Sequence, residues 1–168
     1  VVARTDPHAV RDEVRAAHPD WIAVNADGSP RRHWANKDLW VTCALGPYNF
    51  DFMDAVHREI VSKYKVDGIF ANRWAPQGGD CFCVHCTRNF KTATGHDLPP
   101  ADAAGAARRQ FVPWRTRGLT ELWSGWDDRA IAWTIVPQWS VFQQVGPQQE
   151  KRIHVHYYGN STSEEGDV

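Results

Sequence analysis

The chain has no surplus of charge: 19 Lys and Arg stand against 20 Asp and Glu, a formal net charge of −1. That balance leaves no basic stripe of the kind that holds nucleic acid or an anionic membrane surface, so neither is an expected partner. No stretch approaches 18 consecutive apolar residues, which excludes a membrane-spanning helix. There is a single Met, and the chain opens Val1-Val2-Ala3-Arg4 without a basic-then-apolar leader. A missing N-terminus is therefore expected, which leaves cytoplasmic and exported locations both open. Internal repeats are absent too. At 168 residues the chain can bury the core of one domain. It falls short of the roughly 250 residues of a (β/α)₈ barrel.

What is present is aromatic and cysteine-bearing. Nine Trp in 168 residues is heavy usage. Indoles fill cores, and their flat faces also cover the apolar side of a pyranose ring, so each Trp carries both readings. The stretch around which the rest is organised runs Tyr64 to Cys86, YKVDGIFANRWAPQGGDCFCVHC. Val66 to Ala71 has the short, continuous apolar pattern of a buried parallel strand. Asn72, Arg73 and Trp74 then follow at its carboxyl end, where open α/β sheets and barrels place ligands.

The remaining segments read as the neighbours of that strand. Val1 to Ala3 ends an earlier strand. Asp6 before Pro7 is an N-cap followed by proline at the first helical position, predicting a helix through Val10, Val14 and Ala17 that stops by His18. Arg4 and Asp6 then sit at a strand-to-helix junction, where substrate contacts are common; a cap alone also accounts for Asp6. Trp21 to Val24 and Leu39 to Ala44 read as short strands separated by a turn at Asn25 to Gly28 and a polar loop over 31–38. An insertion this long between a helix and the next core strand is itself a functional signal. Asn49 can cap a helix whose apolar face is Phe52, Met53, Val56, Ile60 and Tyr64. Within it Glu59 is expected to pair with Arg58 or Lys63. Val84 to Thr94 reads as a helix closed by Gly95. An Ala-rich start at 101–107 leads into a long helix with Leu119, Leu122, Trp126, Ala130 and Trp133 on one face, ended by Pro137. Trp139 to Val145 is a further strand, and residues 147–168 are a poorly packed polar tail with one short strand near Ile153 to Tyr158.

Cys81-x-Cys83-x-x-Cys86 is a compact set of thiols, and Cys43 or His85 can complete four metal ligands. Zinc held this way leaves no open coordination position, so its role is structural, pinning the loop after the central strand. Buried packing thiols and, in an exported protein, disulfides remain alternatives.

Taken together these motifs resemble a family. Arg4-Thr5-Asp6, His18-Pro19-Asp20-Trp21, Asp27-Gly28, Thr42-Cys43-Ala44, Gly46-Pro47-Tyr48 and Glu59-Ile60-Val61 precede Tyr64 to Trp74, and Cys81, Cys83, Cys86, Phe90, Gly95, Leu98-Pro99 and Trp114 to Trp123 follow. Over about residues 1–135 the chain is similar to the hypothetical glycosyl hydrolase families related to α-fucosidase and β-galactosidase barrels. The resemblance implies an α/β fold: an incomplete (β/α)₈ (TIM) barrel-like domain over residues 1–146, containing middle βα units only. On that basis Val1 to Ala3 and Val66 to Ala71 are successive barrel strands. An open parallel set of this kind has unpaired edges and is expected to be marginal by itself.

The implied function is that of a glycoside hydrolase-like, carbohydrate-active fragment. Its sugar would meet Arg4, Tyr48, Asn72, Arg73 and Trp74, with Asp6 as the catalytic candidate. Glycoside hydrolysis ordinarily needs two carboxylates. Asn72 stands where related barrels often present an Asp, so the second carboxylate must come from Asp80, Glu121 or strands outside the chain. No cofactor is required for that chemistry beyond a structural zinc on Cys43, Cys81, Cys83 and Cys86. The alternative is a non-catalytic carbohydrate-binding or interaction module, or an inactive remnant. Convergence of two carboxylates in one pocket separates the two.

Overall fold

The structure, a computed structural model of the 168-residue chain, describes residues 1–64, 66–71, 80–134 and 154–156. Its central layer is a parallel sheet. β1 (Val2–Thr5) pairs with β4 (Gly68–Ala71) in the register Val2 to Gly68 through Thr5 to Ala71. β4 also pairs in parallel with β5 (His154–His156), so the strand order is β1-β4-β5. The middle strand, Gly-Ile-Phe-Ala, is buried or half-buried throughout, as a parallel strand covered on both faces must be. The two expected core strands are therefore parallel neighbours. A short strand does form within the stretch Ile153 to Tyr158. Among the described residues the sheet is open, with no closed barrel.

Helices cover this sheet. α2 (Met53–Tyr64) and α3 (Val84–Thr94) each pack against the 30-residue helix α4 (Gly105–Thr134). α3 ends as its sequence dictates, with Gly95 at φ 75° donating its N–H to the Lys91 carbonyl. Trp126 and Leu122 of α4 are fully buried with Met53, Tyr48, Trp40, Ile22, Val10 and Ala71 in the main core. Of the apolar face expected for α4, Leu119 packs partly buried beneath the cysteines. The Ala130 and Trp133 side chains, Pro137 and the strand expected at Trp139 to Val145 lie outside what is described.

Three local expectations are corrected. No helix begins at Asp6. Ala9–Val10 instead forms β2, antiparallel to β3 (Trp40–Val41), and α1 starts only at Asp12 and ends at Ala17. A cap is worth about 1 kcal/mol. Here it is outweighed by burial of Val10 at 6% exposure and by two bonds from Thr42, whose Oγ1 donates to the Pro7 carbonyl and whose N–H donates to the His8 carbonyl. Trp21 to Val24 is not a continuous strand either. Pro19–Trp21 is one 3₁₀ turn, followed by single bridges from Ile22 to Thr42 and Val24 to Pro30. The third correction concerns α2. A single wide π turn over Tyr48–Phe52 precedes it, and its buried stripe is Met53, His57 and Val61, while Phe52 and Tyr64 face solvent. His57 is tolerated inside because its Nε2 lies 3.2 Å from the Thr5 hydroxyl and its ring meets Trp126 edge-on at 4.7 Å. Glu59 pairs with Lys63 at 2.8 Å, an exposed i,i+4 bridge of small energetic weight.

Candidate metal centre and strand-end pocket

Four thiols meet between the β3 loop and the start of α3. Their Sγ atoms all lie within 4.8 Å of one another, and Cys43 is 3.4 Å from Cys83 and 3.5 Å from Cys86. Each position follows from local structure. Cys83 is the N-cap residue of α3 and Cys86 lies in its first turn, so the Cys-x-x-Cys spacing turns both sulfurs to one side of a helix N-terminus, whose dipole favours thiolate. Cys81 is held against Val24, whose N–H reaches its sulfur at 3.5 Å, and Phe82 N–H bonds the Val24 carbonyl next to it. Cys43 is buried completely in the turn after β3. Gly46 packs closely there: a Cβ would come 3.1 Å from the Cys43 Cβ and 3.4 Å from its sulfur, so a side chain would press on Cys43. The Asn49 side chain closes the turn by donating to the Cys43 carbonyl at 2.9 Å. Asn49 is therefore a buried clamp and caps no helix, contrary to its expected role.

These separations are far beyond the roughly 2.05 Å of a disulfide. A regular tetrahedron with metal–sulfur bonds of about 2.3 Å has edges of about 3.8 Å, the spacing the four sulfurs approximate. The set is compatible with one tetrahedral metal ion, and its fourth member is Cys43. His85, the other candidate, is turned away to Asp20 at 3.2 Å and receives the Arg88 guanidinium on its Nδ1. The thiols share protons unevenly. Cys81 is pulled far below the ordinary thiol range, first by the hydrogen bond with Cys43 and then by those with Cys83 and Cys86. Cys43 is pushed well above it by the same contacts and by burial. Leu45, Leu98, Trp114 and Leu119 wrap the centre in apolar surface. Arg31 and Arg115 line the same small cavity, of about 20 Å³, as Cys81 and Cys86.

The second site lies at the carboxyl end of β1. A pocket of about 570 Å³ brings together Arg4, Asp6 and Tyr48, three of the residues singled out from the sequence, with Glu13, His8 and His33. Arg4 and Asp6 form an ion pair at 3.4 Å with both side chains more than half exposed. Tyr48 is buried, and its phenol is raised to about 12 by burial and by the nearby Asp6 charge, so it is a hydrogen-bond donor at neutral pH. His8 and His33 meet Nε2 to Nε2 at 3.3 Å. Burial lowers both imidazoles below their ordinary value, so both are neutral at pH 7. The His8 Nδ1 is buried without a partner among the described residues.

Asn72, Arg73 and Trp74 lie outside the described residues. Asp80, a candidate second carboxylate, is instead ion-paired to Arg108 and, at 3.9 Å, to Arg115. Glu121 is exposed on α4 and does not line the pocket. Glu13, His8 and His33 escaped the sequence reading. Asp12-Glu13 resembles the acidic first turn of any helix, and His8 and His33 are 25 residues apart with no shared motif.

Comparison with known proteins gives a limited placement. No protein-family profile matches the sequence, and no curated protein matches it. Among solved structures the chain is similar to alpha-L-fucosidase isoenzyme 2 from Paenibacillus thiaminolyticus, with a TM-score of 0.51 and 18% sequence identity. The match covers 80% of this chain and 19% of that one, so the chain spans about a fifth of the length of the enzyme it resembles. At this identity the likeness concerns the fold alone.

Proposed function

We propose that the chain is part of a carbohydrate-active, glycoside hydrolase-like domain, a portion of an incomplete (β/α)₈-type barrel that takes a sugar at the carboxyl ends of its strands. The observation that carries this reading is the pocket lined by Asp6 and Glu13 together with Arg4 and Tyr48. Two carboxylates in one pocket are the minimum equipment for cleaving a glycosidic bond. Asp6, oriented by Arg4, accepts from a sugar hydroxyl or acts at the anomeric carbon, and the Tyr48 phenol donates to a ring substituent. Asn72, Arg73 and Trp74, which follow β4 in sequence, extend the same binding end of the sheet in this reading.

The four cysteines, on the same proposal, hold a structural zinc. Cys43, Cys81, Cys83 and Cys86 would occupy all four positions, leaving none for substrate. Arg31 and Arg115 offset the negative charge that a tetrathiolate site accumulates in apolar surroundings. The metal's contribution is to fix the loop after β4, and the chemistry falls to the pocket.

A second reading, a non-catalytic sugar-binding module, draws on the open, ion-paired setting of Asp6, which suits a fixed acceptor as well as a nucleophile. One experiment separates them. The zinc-replete chain is tested on immobilised glycans of one to four rings and on aryl glycosides, alongside Asp6→Asn. Catalysis predicts that the substitution lowers turnover by at least about a thousandfold while leaving glycan binding within about tenfold. The binding module predicts no turnover in either form and a weakened affinity in the variant. A folded chain that retains none of the glycans would sink both.

A further inference from the structure

The insertion between β2 and β3 contains a tight loop, residues 33–38, whose backbone is held from several sides. His33 Nδ1 accepts the N–H groups of Ala35 at 3.2 Å and Asn36 at 3.0 Å. The Asn36 side chain accepts from Asp38 N–H at 2.9 Å, and Leu39 N–H returns to the Asn36 carbonyl at 3.2 Å. Arg32 donates to the Lys37 carbonyl at 2.8 Å while its guanidinium lies 3.5 Å over the Trp40 ring. With Nδ1 used as an acceptor, neutral His33 carries its proton on Nε2, the atom that faces His8. The imidazole is thus fixed in tautomer and in plane.

Trp34 lies against that fixed ring. Its indole stacks on His33 with centroids 3.8 Å apart and planes 25° from parallel, and it lies 5.6 Å from the His8 ring. Both histidines line the pocket, so the indole lies directly against two of its lining side chains. Yet Trp34 is 52% exposed, unlike the fully buried Trp126. An exposed large aromatic on a loop pinned by this many hydrogen bonds is already in position before any ligand arrives, and costs little entropy to use. The pocket that His8 and His33 help to line also holds Arg4, Asp6 and Glu13, polar groups of both signs.

From this geometry we infer that Trp34 is the platform of an adjoining sugar subsite, stacking on the pyranose ring next to the one held in the Arg4–Asp6–Tyr48 pocket. A pyranose has the matching anatomy: an apolar C–H face for the indole and a rim of hydroxyls for the polar groups. An apolar ligand or a hydrophobic helix would leave Asp6, Glu13 and Arg4 desolvated without partners. The inference rests on the proposed sugar pocket and adds a residue, a loop and a length preference to it.

The test compares affinity for one-ring and two-ring glycosides, with saturation-transfer NMR identifying which ring protons contact aromatic protons. The wild-type chain is expected to gain about tenfold in affinity from the second ring. Trp34→Ala is expected to abolish that gain and the saturation of the second ring, leaving one-ring binding unchanged. Trp34→Phe is expected to keep part of both, which a merely structural role for the indole would not produce. Circular dichroism confirms that the variants fold. If Trp34→Ala binds two-ring glycosides as tightly as wild type, or if wild type gains nothing from the second ring while still holding the first, the subsite is refuted and the pocket stands. Failure of the wild-type chain to bind any glycoside overturns subsite and pocket together.

Discussion

The cysteine centre and the strand-end pocket both gather chemically capable side chains, but their surroundings differ. In the first, three of four thiols are at most 4% exposed, and apolar side chains close over them. In the second, Arg4 and Asp6 keep more than half of their side-chain surface in solvent beside a pocket of about 570 Å³. The four sulfurs face mainly one another, with the Val24 N–H on Cys81, a setting that suits holding chain segments together. Charged groups at an open pocket can exchange water for a ligand. On the proposed reading, burial more than residue type divides the structural site from the ligand-binding one. Asn49 joins the two regions: its side chain bonds the Cys43 carbonyl, its own carbonyl accepts from Trp126 Nε1 at 3.1 Å, and its neighbour Tyr48 lines the pocket.

That contrast can be broken experimentally, beginning with the cysteines. Replacing Cys83 and Cys86 by Ser should reduce bound zinc from one equivalent to none by elemental analysis. The loss of stability should be on the order of 5 kcal/mol, or about 10–20 °C in thermal midpoint. A chelator should reproduce the shift in the unmodified chain. Unchanged stability in both cases would make the thiols mere packing groups.

Asn49→Ala tests the connection between the regions. It leaves the buried Cys43 carbonyl without its donor, so a loss of about 1–3 kcal/mol is expected in denaturant unfolding. Because the Asn49 Oδ1 is itself buried without a partner among the described residues, the lower end of that range is expected.

The smallest effect should come from the pocket histidines. The unfolded chain protonates His8 near 6.5, whereas burial, with help from His33 and Arg4 and against the pull of Asp6, lowers the folded value. Between the two values the unfolded state binds more protons. The stability contribution is therefore complete above about pH 6.5, falls as pH drops from there through the folded value, and levels off below it. His8→Gln should flatten that slope in urea titrations between pH 7 and 5 while leaving zinc content unchanged. A slope of the same size in the variant would assign the effect to other groups.

Much of this chain was legible from local pattern. Val84 to Thr94 closes on Gly95 because periodicity, thiol spacing and a left-handed glycine all agree within a dozen residues. That β1 and β4 are neighbouring parallel strands was implied by the family resemblance, and the turn at Asn25 to Gly28 followed from its composition. Of the six substrate-binding and catalytic candidates, the three outside 72–74, Arg4, Asp6 and Tyr48, line one pocket.

The remaining features depend on contacts between distant segments. The Asp6-Pro7 start signal is strong locally, yet Val10 and Thr42 draw the chain into a ladder instead. The face of α2 is set by where Trp126 packs, which places His57 inside and Phe52 outside. Cys43 joins thiols 38 or more residues away, and His8 meets His33, with no spacing rule to announce either. By itself, the sequence determined the short-range elements, in which each residue's preference and its neighbours' periodicity point the same way. Tertiary structure alone decided that His85 turns away from the thiols, which carboxylate shares the pocket with Asp6, and that Trp34, among the described tryptophans, stays exposed. Those outcomes depend on burial and on partners brought together by folding, which no local window contains.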